Sequence, residues 1–204
     1  MWNWKFSVVL ITLLLMGCQK AQVDEGKVLN HYDHFLEDVG ELFRYHAEEN
    51  EMFYNERYQT KEEVDQLLKP YMTEKGISQI KNDFFVEVES RLVYKEDFQL
   101  YLRERGDYRS FYSGNRQYYD VIRESVINPG LRLINPDIVK MQEENGRILM
   151  EGIEIPIYFY HEQDVYAQQQ FGQLGYPSND LLSISVSFVS KGNTLLIDQI
   201  QIGS

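Results

Sequence analysis

Leu181-Leu182-Ser183-Ile184-Ser185-Val186-Ser187-Phe188-Val189-Ser190, then Lys191-Gly192-Asn193, then Thr194-Leu195-Leu196-Ile197-Asp198-Gln199-Ile200-Gln201-Ile202, is the stretch on which the fold class turns. In the first run Leu182, Ile184, Val186 and Phe188 recur at every second residue, the period of a strand with one buried face. The polar Lys191-Gly192-Asn193 segment predicts a hairpin turn. In the second run Leu195 and Ile197 hold one parity and Ile200 and Ile202 the other. A bulge near Asp198-Gln199 restores a common face.

Working back toward the amino terminus, Arg147 to Met150 is a short apolar run that Glu151-Gly152 bends. Ile153, Ile155, Ile157 and Phe159 then alternate against Tyr158 and Tyr160, a third strand, and Pro156 places it at an edge or a bulge. The period changes ahead of this. Val28, Tyr32, Phe35, Val39, Leu42 and Phe43 recur at steps of three and four, predicting a helix from about Lys27 to about Asn50 with Gly40 as its weak point. Thr60 to Glu63 has the form of a capping box, and Val64, Leu67 and Leu68 supply the apolar face behind it. A third helix opens at Thr73 and carries Ile77, Ile80, Phe84, Phe85 and Val88, although Val86-Glu87-Val88-Glu89 also alternates like a strand. Residues 91–145 are rich in tyrosine and charge and carry turn signals at Asn128-Pro129 and Asn135-Pro136.

Helices followed by an antiparallel sheet make an α+β domain over residues 27–204. This order of elements resembles the nuclear transport factor two-like fold, a cone of helices packed on a curved antiparallel sheet. The resemblance lies in element order alone and implies no particular residue role.

The amino terminus bears on location. One Lys and no acid stand in residues 1–5, Phe6 to Met16 is apolar apart from Ser7 and Thr12, and acids begin at Asp24. That is the layout of a secretory signal, with an apolar run about half of the roughly 20 residues a membrane-spanning helix requires. It ends in Leu15-Met16-Gly17-Cys18, which resembles the lipobox of bacterial lipoproteins: Leu15, Gly17 and Cys18 match, and Met16 stands where a smaller residue is commoner. The resemblance implies a signal peptide over residues 1–17, a diacylglyceryl group on the Cys18 thiol and a lipidated tether over residues 18–26. Two acyl chains, at about 0.8 kcal/mol per buried methylene, hold a protein stably where one does not. The expected location is the extracytoplasmic face of the cell membrane, with the lipid bilayer as first partner.

Composition narrows the remaining choices. Twenty basic against 32 acidic side chains give a formal charge of −12, so nucleic acid is not the expected partner. A single cysteine allows neither an intramolecular disulfide nor a multi-cysteine zinc site. Glycine patterns for phosphates or dinucleotides are missing, as is Gly-x-Ser-x-Gly, so no cofactor and no catalytic residue is assigned. His31 and His34 with Asp38 and Glu41 have helical spacing suited to a divalent metal, but a solvated polar face accounts for them better and no metal is expected. Arg105-Gly106-Asp107 is read as a turn.

Aromatic residues make up 14 % of the chain, including 15 Tyr. Tyr158, Tyr160, Tyr166, Phe171 and Tyr176 surround Gln168-Gln169-Gln170 and form the candidate surface for a ligand or partner, set against the alternative that such rings fill the core. The expected function is therefore non-catalytic binding of an envelope protein or ligand by a membrane-anchored lipoprotein. The alternative is a cell-envelope hydrolase acting on polysaccharide or peptide. Cys18→Ser is predicted to move the protein out of the membrane fraction and to block processing. Fractionation with lipid labelling checks this, and undiminished labelling of the variant would refute the anchor.

Overall fold

In the computed structural model, which describes residues 23–106 and 117–203, two four-stranded antiparallel sheets alternate with helices along the chain. Cys18 and the rest of the lipobox lie outside the described residues. Helix α1 (Glu25–Val39) starts at Asp24, whose carboxylate accepts from the Lys27 amide, and buries Val28, Tyr32, Phe35, Leu36 and Val39. The apolar stripe is as expected, but the helix stops eleven residues short of Asn50. A single 3-10 turn, Gly40–Phe43, ends it, and Tyr45 adopts a positive φ that sends the chain into β1 (His46–Glu49). Leu42 and Phe43 remain buried in that turn, so their place in the stripe reflected the core and not a continuing helix.

The first sheet has the order β1-β2-β4-β3, with β2 (Met52–Asn55), β3 (Phe85–Val88) and β4 (Arg91–Tyr94). Its two hairpins turn at Asn50-Glu51 and at Glu89-Ser90, four non-glycine residues with positive φ. Between them lie α2 (Lys61–Leu68), opened by the Thr60–Glu63 capping box, and α3 (Glu74–Phe84), opened by Thr73. Phe85 and Val88, expected on the helix, belong to β3, so the alternating reading of that segment prevails. Two buried amides serve the backbone here. Asn55 donates to the Glu41 and Leu42 carbonyls and accepts from the amides of Arg57 and Tyr58. Gln99 bonds both the N–H and the C=O of Phe53 in the manner of a neighbouring strand.

The second sheet, β5-β6-β7-β8, comprises β5 (Lys140–Glu144), β6 (Arg147–Tyr158), β7 (Asn179–Lys191) and β8 (Thr194–Gly203). The two runs expected around Glu151-Gly152 form one strand. Register shifts between Gly152 and Ile155, where Glu154 has a positive φ, so Ile153 turns outward to 83 % exposure while Ile155 and Ile157 stay inside. That corrects the expectation that Ile153 shares their face. Because β5 pairs only with Arg147–Glu151, Pro156 lies on a stretch of β6 that has no neighbouring strand on that side among the described residues, so its missing N–H breaks no ladder there. Helix α4 (Glu96–Gly106) and helix α5 (Tyr118–Ile122) precede this sheet, and helix α6 (Val165–Gly172) separates β6 from β7.

The expected bulge in β8 is present. Ser187 pairs with Gln199 and Phe188 with Ile197, leaving Asp198 as the extra residue. Its carboxylate turns inward and accepts from Thr73 Oγ1 at 2.9 Å, Arg147 at 2.7 Å and Lys75 Nζ at 3.3 Å. The free edge of β8 is covered from the same side. The Thr73 amide donates to the Ile197 carbonyl, the Ile197 amide to the Tyr71 carbonyl, and the Gln79 side chain bonds both polar groups of Ile200. A Cβ at Gly76 would stand 2.8 Å from the Ile197 carbonyl oxygen, so only glycine permits this approach.

Hydrogen bonds from Arg147, Thr73 and Lys75 outweigh burial and hold Asp198 below its ordinary value of 3.8. A lowered folded-state value makes the contribution full above that pH and lost as pH falls below it. Asp198→Ala is predicted to cost about 1–3 kcal/mol at pH 7. In thermal melts the gap between variant and wild type should close below pH 4; a gap unchanged down to pH 2 would exclude the carboxylate as its source.

Candidate functional site

The five aromatic residues singled out in the sequence divide into two groups. Tyr160, Phe171 and Tyr176 come together: Tyr160 stacks on Phe171 at 6.1 Å with planes 9° apart, Phe171 meets Tyr176 edge-on at 6.0 Å, and the Tyr160 hydroxyl donates to the Tyr176 carbonyl at 3.0 Å. Tyr176 is buried, packed on Tyr119 and Phe159 at 5.0 and 5.1 Å. These rings fix α6 and the end of β6 to the body of the fold, so Tyr176 is core, with Tyr160 half-buried above it. Tyr158 and Tyr166 behave differently, at 71 % and 70 % exposure. Antiparallel register puts Tyr158 opposite Asn179 and Pro156 opposite Leu181, so Tyr158 and Leu181 are diagonal neighbours on the outer face of the sheet. On α6, Val165, Tyr166 and Phe171 are also exposed.

Beneath this region Asp180 receives a two-pronged ion pair from Arg123, at 2.7 Å from Nε and 2.6 Å from a terminal nitrogen, and a 2.6 Å hydrogen bond from the Tyr119 hydroxyl. Burial pushes the Asp180 carboxyl up, but these donors and the Leu181 amide outweigh it and leave it below the ordinary carboxylate range. The arrangement ties α5 to the first residues of β7 and thereby sets where the outer face begins.

A larger concavity of about 690 Å³ lies where α3, α4, α5 and the end of β8 meet. Phe84, Phe98 and Ile200 give it an apolar floor, and Asp83, Lys95, Asp120 and Arg123 bring ionisable groups to its wall. Desolvation raises the Asp83 carboxyl, with Lys95 and Gln79 pulling the other way. Sequence reading missed this cleft because its walls come from four segments spread over more than 100 residues and no local spacing marks them.

The histidine set does not converge. His31 Nε2 lies 3.0 Å from the Tyr71 carbonyl and donates to it, His34 bonds the Asn30 carbonyl of its own helix, Asp38 accepts from the Tyr71 hydroxyl, and Glu41 pairs with Arg44. Among the described residues no group of three or more His, Cys, Asp or Glu is placed to hold a metal ion. Arg105 and Gly106 close α4, and Asp107 lies outside the described residues. Among the described residues no helix is long and apolar enough to cross a membrane. No protein-family model matches the chain, and no curated protein matches it.

A raised folded-state value at Asp83 means that ionisation costs stability as pH rises through it. Asp83→Asn is therefore predicted to melt higher than wild type at pH 7, with the difference vanishing toward pH 3. Carboxyl NMR should place the Asp83 midpoint above 3.8 and move it higher still in Lys95→Met; a midpoint at or below 3.8 would contradict the assignment.

Proposed function

We propose that this chain is a lipoprotein held at the extracytoplasmic face of the cell membrane by acylated Cys18, and that its domain binds a protein partner of the envelope without catalysing a reaction. One observation carries the binding half of this reading. Of the ten exposed large hydrophobic residues among those described, six fall between Ile153 and Leu181: Ile153, Tyr158, Val165, Tyr166, Phe171 and Leu181. Apolar residues scattered singly over a surface need no explanation, whereas a concentration within one stretch of chain, three of the six aromatic, supports a protein interface. The anchoring half rests on Leu15, Gly17 and Cys18 and the apolar run before them. A formal charge of −12 over the whole chain, with every acid at or beyond Asp24, disfavours a domain lying flat on an anionic bilayer, which suits a module reaching outward on its tether.

The finer architecture is part of the same proposal. We read the second sheet, with α1 lying across its inner face, as the wall of a cone in the manner of the nuclear transport factor two-like fold. Support comes from the shared environment of Leu29 and Tyr32 of α1 with Met150 of β6 and Ile184 of β7. The alternative function, an envelope hydrolase, is favoured by one feature, the raised carboxyl of Asp83 in a cleft that also holds Lys95.

A double variant, Tyr158→Ser with Tyr166→Ser, separates these readings. Crosslinking in intact cells carrying the native anchor is expected to lose the partner adducts of the wild type. Melting should stay within about 0.5 kcal/mol of wild type because both rings are exposed. Unchanged adducts would sink the surface, and loss of hydrolysis of envelope polymers in Asp83→Asn would establish the enzyme in its place.

A further inference from the structure

The two edges of the second sheet differ. The β8 edge is closed by Tyr71, Thr73 and Gln79, whereas β5 has no strand on its outer side among the described residues. Asn145 and Gly146 both have positive φ, so β5 and β6 are joined by a two-residue turn that makes its flanking residues, Glu144 and Arg147, a hydrogen-bonded pair. Hydrogen-bonded and non-hydrogen-bonded pairs alternate along an antiparallel ladder, so Gln142 and Lys140 also bond toward β6. The N–H and C=O groups of Met141 and Glu143 therefore face the free side. All of β5 is exposed except Met141, which is half-buried.

Such an edge pairs with another strand unless charge or proline prevents it. Proline is absent from β5, and its charges are Lys140 at one end with Glu143 and Glu144 at the other. Edge charges keep most strands away, but this set is complementary to itself. With a twofold axis at Gln142, antiparallel pairing sets Met141 opposite the partner copy's Glu143. Both outward-facing residues of each copy are then used, in four backbone hydrogen bonds. The same register sets Lys140 opposite the partner copy's Glu144, twice by symmetry, in non-hydrogen-bonded pairs, whose side chains stand closer. Lys140 is also opposite Glu151 within its own sheet, so charge alternates across the junction. No ion pair among the described residues uses Lys140 or Glu144. Slipping the register one way would set Glu143 opposite Glu143, and slipping it the other way would leave Lys140 opposite Gln142.

We propose that β5 pairs with β5 of a second copy of this chain, antiparallel about Gln142, so that the two four-stranded sheets become one continuous sheet. The axis is normal to the sheet, which keeps α1 on the same side in both copies. Five residues of edge bury far less than the roughly 1,200 Å² of a stable interface, so the dimer is weak in dilute solution. High local concentration on a membrane favours it. The pairing itself needs neither the anchor nor the surface at Tyr158 and Tyr166.

Disulfide trapping in the full chain tests the pair through position 142. Gln142 stands opposite itself in a non-hydrogen-bonded pair, with Cα atoms about 4.5 Å apart, inside the roughly 4.4–6.8 Å that a disulfide spans. Under mild oxidation Gln142→Cys is expected to form a linked dimer at concentrations where two controls do not. The controls are Lys191→Cys, at the end of β7, and wild type, whose only cysteine is Cys18. Trapping accumulates even a weakly populated dimer, so the result does not depend on the anchor. In the Gln142→Cys background, Lys140→Glu and Glu144→Lys should each slow linking about tenfold, because each sets like charges opposite one another at both ends. Co-expressing these two chains should restore linking, as heterodimers, because each then meets the opposite charge. Misfolding of either chain cannot produce that recovery. The proposal is overturned if Gln142→Cys links no faster than Lys191→Cys, if either charge reversal leaves the rate unchanged, or if the two reversed chains together link no faster than each alone.

Discussion

Asp198 occupies the one position of β8 that is passed over in the pairing with β7, and this lets its carboxylate turn toward Thr73, Lys75 and Arg147. Three contacts, two from the start of α3 and one from the start of β6, join these elements to the bulged strand at one point. The neighbouring backbone completes the joint. The Tyr71 carbonyl accepts from the Ile197 amide and from His31 of α1, and the Tyr71 hydroxyl donates to Asp38, which pushes that phenol up to about 12. Helices α1 and α3 are thereby registered on the second sheet through β8, at an edge that would otherwise expose unpaired backbone groups to other chains.

What this joint leaves uncovered is as informative as what it covers. The helices α1 and α3 lie against the inner face and against the β8 side, and at the far end of β6 and β7 Tyr158 and Leu181 are exposed among the described residues. Helix α6 is held at that end by the stack of Tyr160 on Phe171, which keeps Val165 and Tyr166 at the surface. The proposed partner surface therefore draws on the exposed rings of Tyr158 and Tyr166 and on elements held together by the packed rings of Tyr160, Phe171 and Tyr176.

The second sheet was legible because its signals are local. Alternation over Leu182 to Phe188, the parity change across Asp198-Gln199 and Gly192 at positive φ each mark one feature that the structure contains. Asn145-Gly146, an equally plain hairpin signal, stands between β5 and β6 and could have been read in the same way. The first sheet was hidden for a physical reason: its hairpins turn on Asn50-Glu51 and Glu89-Ser90, which contain no glycine, and its strands are four residues long. Helix α1 was read too far because Leu42 and Phe43 keep helical spacing while the core, reached through a 3-10 turn, holds them. Among the five aromatic candidates, sequence could not tell Tyr176, which is core, from Tyr158, which is exposed. That difference depends on the packing of Tyr176 against Tyr119, Phe159 and Phe171, contacts between separate segments that no local spacing marks.

Hydrogen exchange at the joint between β8 and α3 tests this account most directly, because it measures whether the joint opens with the whole fold or apart from it. The amides of Thr73, Ile197 and Ile200 are predicted to exchange only through global unfolding, as slowly as those of Val186 and Phe188 in the middle of β7. Rapid exchange at Thr73 and Ile197 with β7 still protected would show that the helices rest on the sheet without being locked to it, and would contradict the central place given to the bulge.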